Sequence, residues 1–106
     1  MIEVLKKEEI DDKVINYKGS VIIDFWNEGC GPCQALAPEL EKVSSKETFV
    51  KYYSVNISKE PELVSRFNVM AAPTLLFIKD GEVKKKTIGF KSEAGIIDII
   101  NQYIKE

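Results

Sequence analysis

The chain has 106 residues, 15 of them basic and 17 acidic, with a formal net charge of −2 and no histidine. This is one domain's worth of chain, and its 44% apolar and 30% charged residues are those of a globular protein with one core. The lack of histidine excludes hydrolases that rely on a histidine base and zinc sites that need imidazole, while the acidic balance argues against nucleic acid as the main partner. No apolar run reaches the roughly 18 residues of a membrane span, and residues 1–7 lack a signal-peptide layout. The expectation is a cytoplasmic protein whose thiols are kept reduced.

Ile2 to Leu5 is a short strand candidate. Glu8 to Tyr17 is predicted to be a helix with Ile10, Val14 and Tyr17 on its inner side. Val21 to Trp26 carries apolar residues on both faces, which predicts a central strand covered on both sides. Gly31 to Lys46 is predicted to be a helix whose inner stripe is Cys33, Leu36, Ala37, Leu40 and Val43, with a kink expected at Pro38. Phe49 to Ile57 is a second long strand. Pro61 opens a short helix with Leu63, Val64 and Phe67 inward. Thr74 to Ile78 is a third core strand, and Asp80-Gly81 is a hairpin turn leading into Glu82 to Ile88. Ile96, Ile99, Ile100, Tyr103 and Ile104 share one face of a last helix.

This order predicts an α/β fold, a central mixed sheet of about five strands flanked by about four helices, in one domain spanning residues 1–106. Strands joined by helices are expected to run parallel, and only the hairpin pair antiparallel. Functional groups gather at the carboxyl ends of parallel strands. The segment after Trp26 is such an end, and it holds both cysteines of the chain.

Cys30-Gly31-Pro32-Cys33 lies between a buried strand and a helix. Cys30 falls at the helix N-terminus, where free backbone N–H groups and the helix dipole favour a thiolate. Cys33 lies one turn on, about 5–5.5 Å away between Cα atoms by helix geometry, within the range a disulfide bridges. Cys33 shares the inward stripe, whereas Cys30 meets solvent. An exposed activated thiol beside a buried one is what thiol–disulfide exchange needs. Cys30 would attack a substrate disulfide, and Cys33 would resolve the mixed disulfide. Three other uses of the pair are weaker. A structural disulfide over four residues would add only about 2 kcal/mol. A zinc site lacks half its ligands. A dinucleotide fingerprint starting at Gly29 lacks its third glycine, because Gln34 stands there.

Asp24 sits within the central strand, where burial should raise its pKa. It would take the proton of Cys33 as that thiol attacks; the plainer alternative is a carboxylate paired with a lysine. Trp26 is a core or shoulder residue able to report redox state. Lys84 to Lys86 read as a solvated strand that blocks edge pairing. Glu28 would oppose a nearby thiolate if its carboxylate were close.

Asp24-Phe25-Trp26, Cys30-Gly31-Pro32-Cys33, Ala37-Pro38, Ala72-Pro73-Thr74, Asp80-Gly81 and Gly89 together resemble the bacterial-type thioredoxin family over nearly the whole chain. The resemblance implies the thioredoxin fold and a reductant of protein disulfides recharged by a thioredoxin reductase, either an NADPH-linked or a ferredoxin-linked flavoenzyme. It implies a cis Ala72-Pro73 bond and a docking surface at Trp26, Gly31, Pro32, Ala72, Pro73, Thr74, Gly89 and Phe90, with substrate backbone paired beside the proline. Gly29 departs from the family's usual tryptophan, and Ser54 from its frequent lysine, so the Asp24 shift rests on desolvation. No bound cofactor is expected, because two thiols hold the two electrons. A monomer is expected. Two alternatives stand beside the reductant: an oxidase or isomerase of the same fold, and a binding module with incidental cysteines.

Overall fold

A computed structural model of the chain describes residues 2–106. Five strands form one sheet: β1 (Ile2–Val4), β2 (Ser20–Trp26), β3 (Val50–Asn56), β4 (Thr74–Lys79) and β5 (Glu82–Ile88), in the spatial order β1-β3-β2-β4-β5. The helices are α1 (Gly31–Lys46), α2 (Pro61–Arg66) and α3 (Glu93–Ile99), the last continued by a wider π-type turn over Ile100–Ile104. A fourth helical segment precedes β2.

β2 is the middle strand, and all its residues except Trp26 are buried. Its side chains alternate between the two faces. Val21, Ile23 and Phe25 enter one core with Ile10, Val14 and Leu63. Ile22 enters the other, against Leu36, Leu40 and Val43 of α1 and Ile96, Ile100 and Ile104 of the last helix. Asp24 is two residues from Ile22 and so faces the α1 side. Ser20 ties the strand's start to the C-terminal helix by donating from Oγ to the Ile104 carbonyl at 2.5 Å.

β1, β3 and β2 are parallel, and β4 and β5 form the expected hairpin. β4, however, runs antiparallel to β2, with Thr74 opposite Phe25 and Lys79 opposite Ser20. The expectation that helix-joined strands run parallel fails here for a geometric reason. α2 has only 6 residues and spans about 9 Å. A strand of 7 residues such as β3 covers about 23 Å. So short a helix does not carry the chain back along the sheet, and β4 starts at the end where β3 finished.

The first helical segment is also less regular than its sequence pattern suggests. It is a 3₁₀ turn at Lys7–Glu9 followed by a π-type stretch at Asp11–Ile15, and Tyr17 lies beyond it. Ile10 and Val14 are buried as expected. The residues between them, Asp11, Asp12 and Lys13, include weak helix formers, so packing of the two apolar side chains sets the winding. α1 runs on through Pro38.

The Asp80-Gly81 turn has positive φ at both residues, 51° and 80°, which is the twist a two-residue hairpin favours. At Gly81 a Cβ would stand 2.1 Å from the Ile15 carbonyl oxygen, so the turn also rests directly on the first helical segment. β5 is an edge strand with Lys84, Lys85 and Lys86 along it. Lys84 pairs with Glu82, Lys85 lies over the Tyr103 ring, and Lys86 donates to the Phe67 and Asn68 carbonyls after α2.

Candidate active site

β2 ends at Trp26, a short loop follows, and α1 begins at Gly31 with Cys30 as its N-cap. Cys30 has extended backbone and its Sγ accepts a hydrogen bond from the Cys33 N–H at 3.2 Å. The sulfur thus takes the place that a serine or aspartate oxygen fills at other helix starts. Pro32, in the first turn, lacks the donor that this turn could not use anyway. Cys30 and Cys33 are joined as a disulfide with Cα atoms 5.2 Å apart, inside the range expected from one helical turn. Cys33 is 5% exposed, whereas Cys30 is half-buried and Gly31 and Pro32 are exposed.

The Ala72-Pro73 bond is cis, as the resemblance implied. The Ala72 carbonyl oxygen lies 3.8 Å from Cys30 Sγ. The Pro73 carbonyl accepts from the Gly89 N–H at 2.8 Å. These two contacts bring three distant segments of the chain together around the disulfide. Phe90, next to Gly89, is 47% exposed. Thr74 is not brought to that surface: it is fully buried, and its Oγ1 donates to the Ala71 carbonyl at 2.6 Å. Pro73 is itself buried, leaving half-buried Ala72 as the accessible part of the pair.

Asp24 lies one layer below. It is 6% exposed, and its Oδ1 has no hydrogen-bond partner among the described residues. Burial alone pushes its carboxyl up from 3.8 to about 7. Its neighbour across the β2–β3 ladder is Ser54, a side chain without a charge to offset the shift. Asp24 and Cys33 both line a pocket of about 620 Å³, which opens between α1 and the loop after β2. Trp26 is half-buried at its wall. Glu28 is exposed, with its carboxylate accepting from Asn56 Nδ2 at 3.5 Å.

Two features of this region were missed by pattern alone. Ala37 is exposed and not part of the inward stripe; with Glu41 it lines the pocket. Cys33, Ala37 and Glu41 recur every four residues, which places them on one side of α1, and that spacing was the available signal. Gly29 has a φ of +70° with open space where a side chain would go. The residue before Cys30 therefore needs left-handed backbone, the region glycine enters at least cost.

Among the described residues, no helix is long and apolar enough to cross a membrane, and no cluster of three His, Cys, Asp or Glu side chains is arranged to hold a metal ion.

The Thioredoxin family model matches residues 1–102. A thioredoxin of Listeria monocytogenes is 38% identical over 88 residues, covering 82% of this chain and 85% of its own. One of Chlamydia trachomatis is 32% identical over 103 residues, covering 97% and 99%. One of Mycoplasma genitalium is 31% identical over 90 residues, covering 85% and 88%. With this match over nearly its whole length and a Cys-x-x-Cys pair joined at the start of α1, the chain belongs to the thioredoxin family and is a thiol–disulfide oxidoreductase, a dithiol reductant of disulfides.

Proposed function

We propose that the chain acts as a single-domain, monomeric, cytoplasmic electron carrier, in which Cys30 is the nucleophile, Cys33 the resolving thiol and Asp24 the proton acceptor. The observation that supports these roles is the difference between the two sulfurs. Cys30 Sγ is partly accessible and receives a backbone N–H at the head of a helix, while Cys33 is buried beside the pocket that Asp24 lines. A thiolate at Cys30 gains from that N–H and from the helix dipole.

In the reduced protein, the Cys30 thiolate attacks one sulfur of a substrate disulfide. The substrate S–S bond breaks, a Cys30–substrate disulfide forms, and the other substrate sulfur leaves as a thiolate. Cys33 then attacks Cys30 Sγ, its proton passing to the Asp24 carboxylate, and the second substrate sulfur leaves. Two electrons have moved to the substrate, and the Cys30–Cys33 disulfide remains. A thioredoxin reductase, NADPH-linked or ferredoxin-linked, would return two electrons by attack on the same exposed sulfur. The substrate backbone would lie against Ala72 and Pro73, flanked by Trp26, Gly31, Pro32, Gly89 and Phe90. Thr74 would act only from beneath, by holding the Ala71 carbonyl.

The roles are tested with single variants and a disulfide-linked protein substrate. Cys33→Ser should accumulate a mixed disulfide on Cys30, identified by peptide mass, and Cys30→Ser should have no turnover. A Cys30→Ser variant that still turned over, or a trapped partner found on Cys33, would overturn the assignment. Reduction of the oxidised protein by each kind of reductase tests the donor; if neither reduces it, the proposed partner is wrong.

A further inference from the structure

Met70 is the most exposed large apolar side chain among the described residues, at 90%. A single exposed apolar residue needs no explanation, but Met70 is not isolated. Ala71 beside it is exposed and Ala72 is half-buried. Ile88, opposite Thr74 in the β4–β5 ladder, is 58% exposed, and Phe90 is 47% exposed. Residues 67–74 carry no charged side chain. The segment is also fixed at both ends. After α2 the chain turns at Asn68, with φ of +56°, and Lys86 Nζ donates to the Phe67 and Asn68 carbonyls at 3.0 Å each. Three residues after Met70, the Pro73 carbonyl accepts from the Gly89 N–H at 2.8 Å. Val69 anchors the stretch between these ties in the core. Held in this way, the segment keeps Met70 outside.

Covalent geometry bounds its distance from the disulfide. The Ala72 carbonyl oxygen is 3.8 Å from Cys30 Sγ. About 2.4 Å within Ala72 and two Cα steps of about 3.8 Å then leave the Met70 Cα no more than about 14 Å from the sulfur. A protein partner covers about 600–800 Å² in a weak to standard interface, a disc of about 14–16 Å radius. The footprint of a protein centred on Cys30 Sγ therefore reaches Met70. The chain's activity as a reductant of disulfides brings such a protein to this sulfur, so the partner that covers Met70 is the substrate.

We propose that Met70 is a specificity-determining contact for protein substrates, packing against an apolar side chain that neighbours the substrate's disulfide. Its unbranched thioether fits side chains of different shape, which suits a surface that meets more than one substrate. The proposal rests on Cys30 being the sulfur that substrates reach, because the footprint is centred there.

The reduced protein is mixed with excess insulin, or with hydroxyethyl disulfide, whose short polar arms offer Met70 no apolar partner. Fluorescence of Trp26, the only tryptophan, follows the oxidation. The readout is the ratio of the two second-order rate constants, insulin over the small disulfide. Met70→Ala should lower this ratio about tenfold, as lost burial of one apolar side chain implies. Met70→Glu should lower it further, and Met70→Leu should hold it within about threefold of the parent. An unchanged ratio in both Met70→Ala and Met70→Glu would overturn the proposal. So would an unchanged ratio with slower reduction of the oxidised variants by a thioredoxin reductase, which would assign the surface to the electron donor. A Cys30→Ser variant that still reduced insulin would overturn the reading on which the footprint is centred, and the Met70 proposal with it.

Discussion

Asp24 makes the sharpest quantitative prediction because its pKa has a single physical cause, loss of water. The carboxyl moves from 3.8 to about 7 on folding. A tenfold change in an ionisation equilibrium corresponds to about 1.4 kcal/mol, so keeping Asp24 ionised in the folded protein costs about 4 kcal/mol. The sign follows from which state holds the proton. Between the two values the folded protein binds it and the unfolded chain does not. Stability is therefore undiminished below pH 3.8, falls as pH rises, and has lost the full amount once pH passes about 7. Asp24→Asn removes the charge and with it this dependence. Urea unfolding of the oxidised proteins, from about pH 4 to about pH 9, should find the variant level with the parent at the acid end and about 4 kcal/mol more stable at the alkaline end. Use of the oxidised form keeps the cysteines out of the titration. A gap that did not change with pH, or a variant less stable than its parent at the alkaline end, would refute the desolvation account.

Two glycines separate backbone strain from close contact. Gly29→Ala places a side chain in open space but at φ +70°, and should cost about 1–2 kcal/mol by denaturant titration. Gly81→Ala carries similar strain and adds a Cβ 2.1 Å from the Ile15 carbonyl oxygen, so its loss should be clearly larger; equal losses would contradict the contact. Ser92 caps α3 by accepting from the Gly95 N–H at 3.1 Å, and Ser92→Ala should lower stability by about 1 kcal/mol. An unchanged thermal midpoint would remove the cap from the account.

The parts of the structure legible in the sequence are those set by local periodicity. Val21 to Trp26 had to be a covered strand because its apolar residues do not alternate with polar ones, and it is the middle strand. Cys30 had to cap a helix, because Gly31-Pro32 precedes an apolar stripe, and it does. What escaped depends on distances between elements. The direction of β4 follows from the short reach of α2, a three-dimensional quantity that a count of alternating elements omits. The winding of residues 7–15 is decided by where Ile10 and Val14 find their core, against weak intrinsic preference. Ala37 read as a core residue because alanine is apolar and correctly spaced, yet it borders a pocket that opens outward. Thr74 belongs by sequence to the docking segment, but it opens a strand paired with the central strand β2 and buried on both faces, so its side chain is covered.

The unequal exposure of the two sulfurs has a kinetic consequence. Cys33 lies under the surface and Cys30 is half-buried, so in the proposed mechanism both the protein that gives electrons and the protein that takes them approach through Cys30. Donor and acceptor compete for one doorway and cannot occupy it together. Under the proposed mechanism the chain would alternate between them in a ping-pong cycle, leaving each encounter in the oxidation state that the next partner requires.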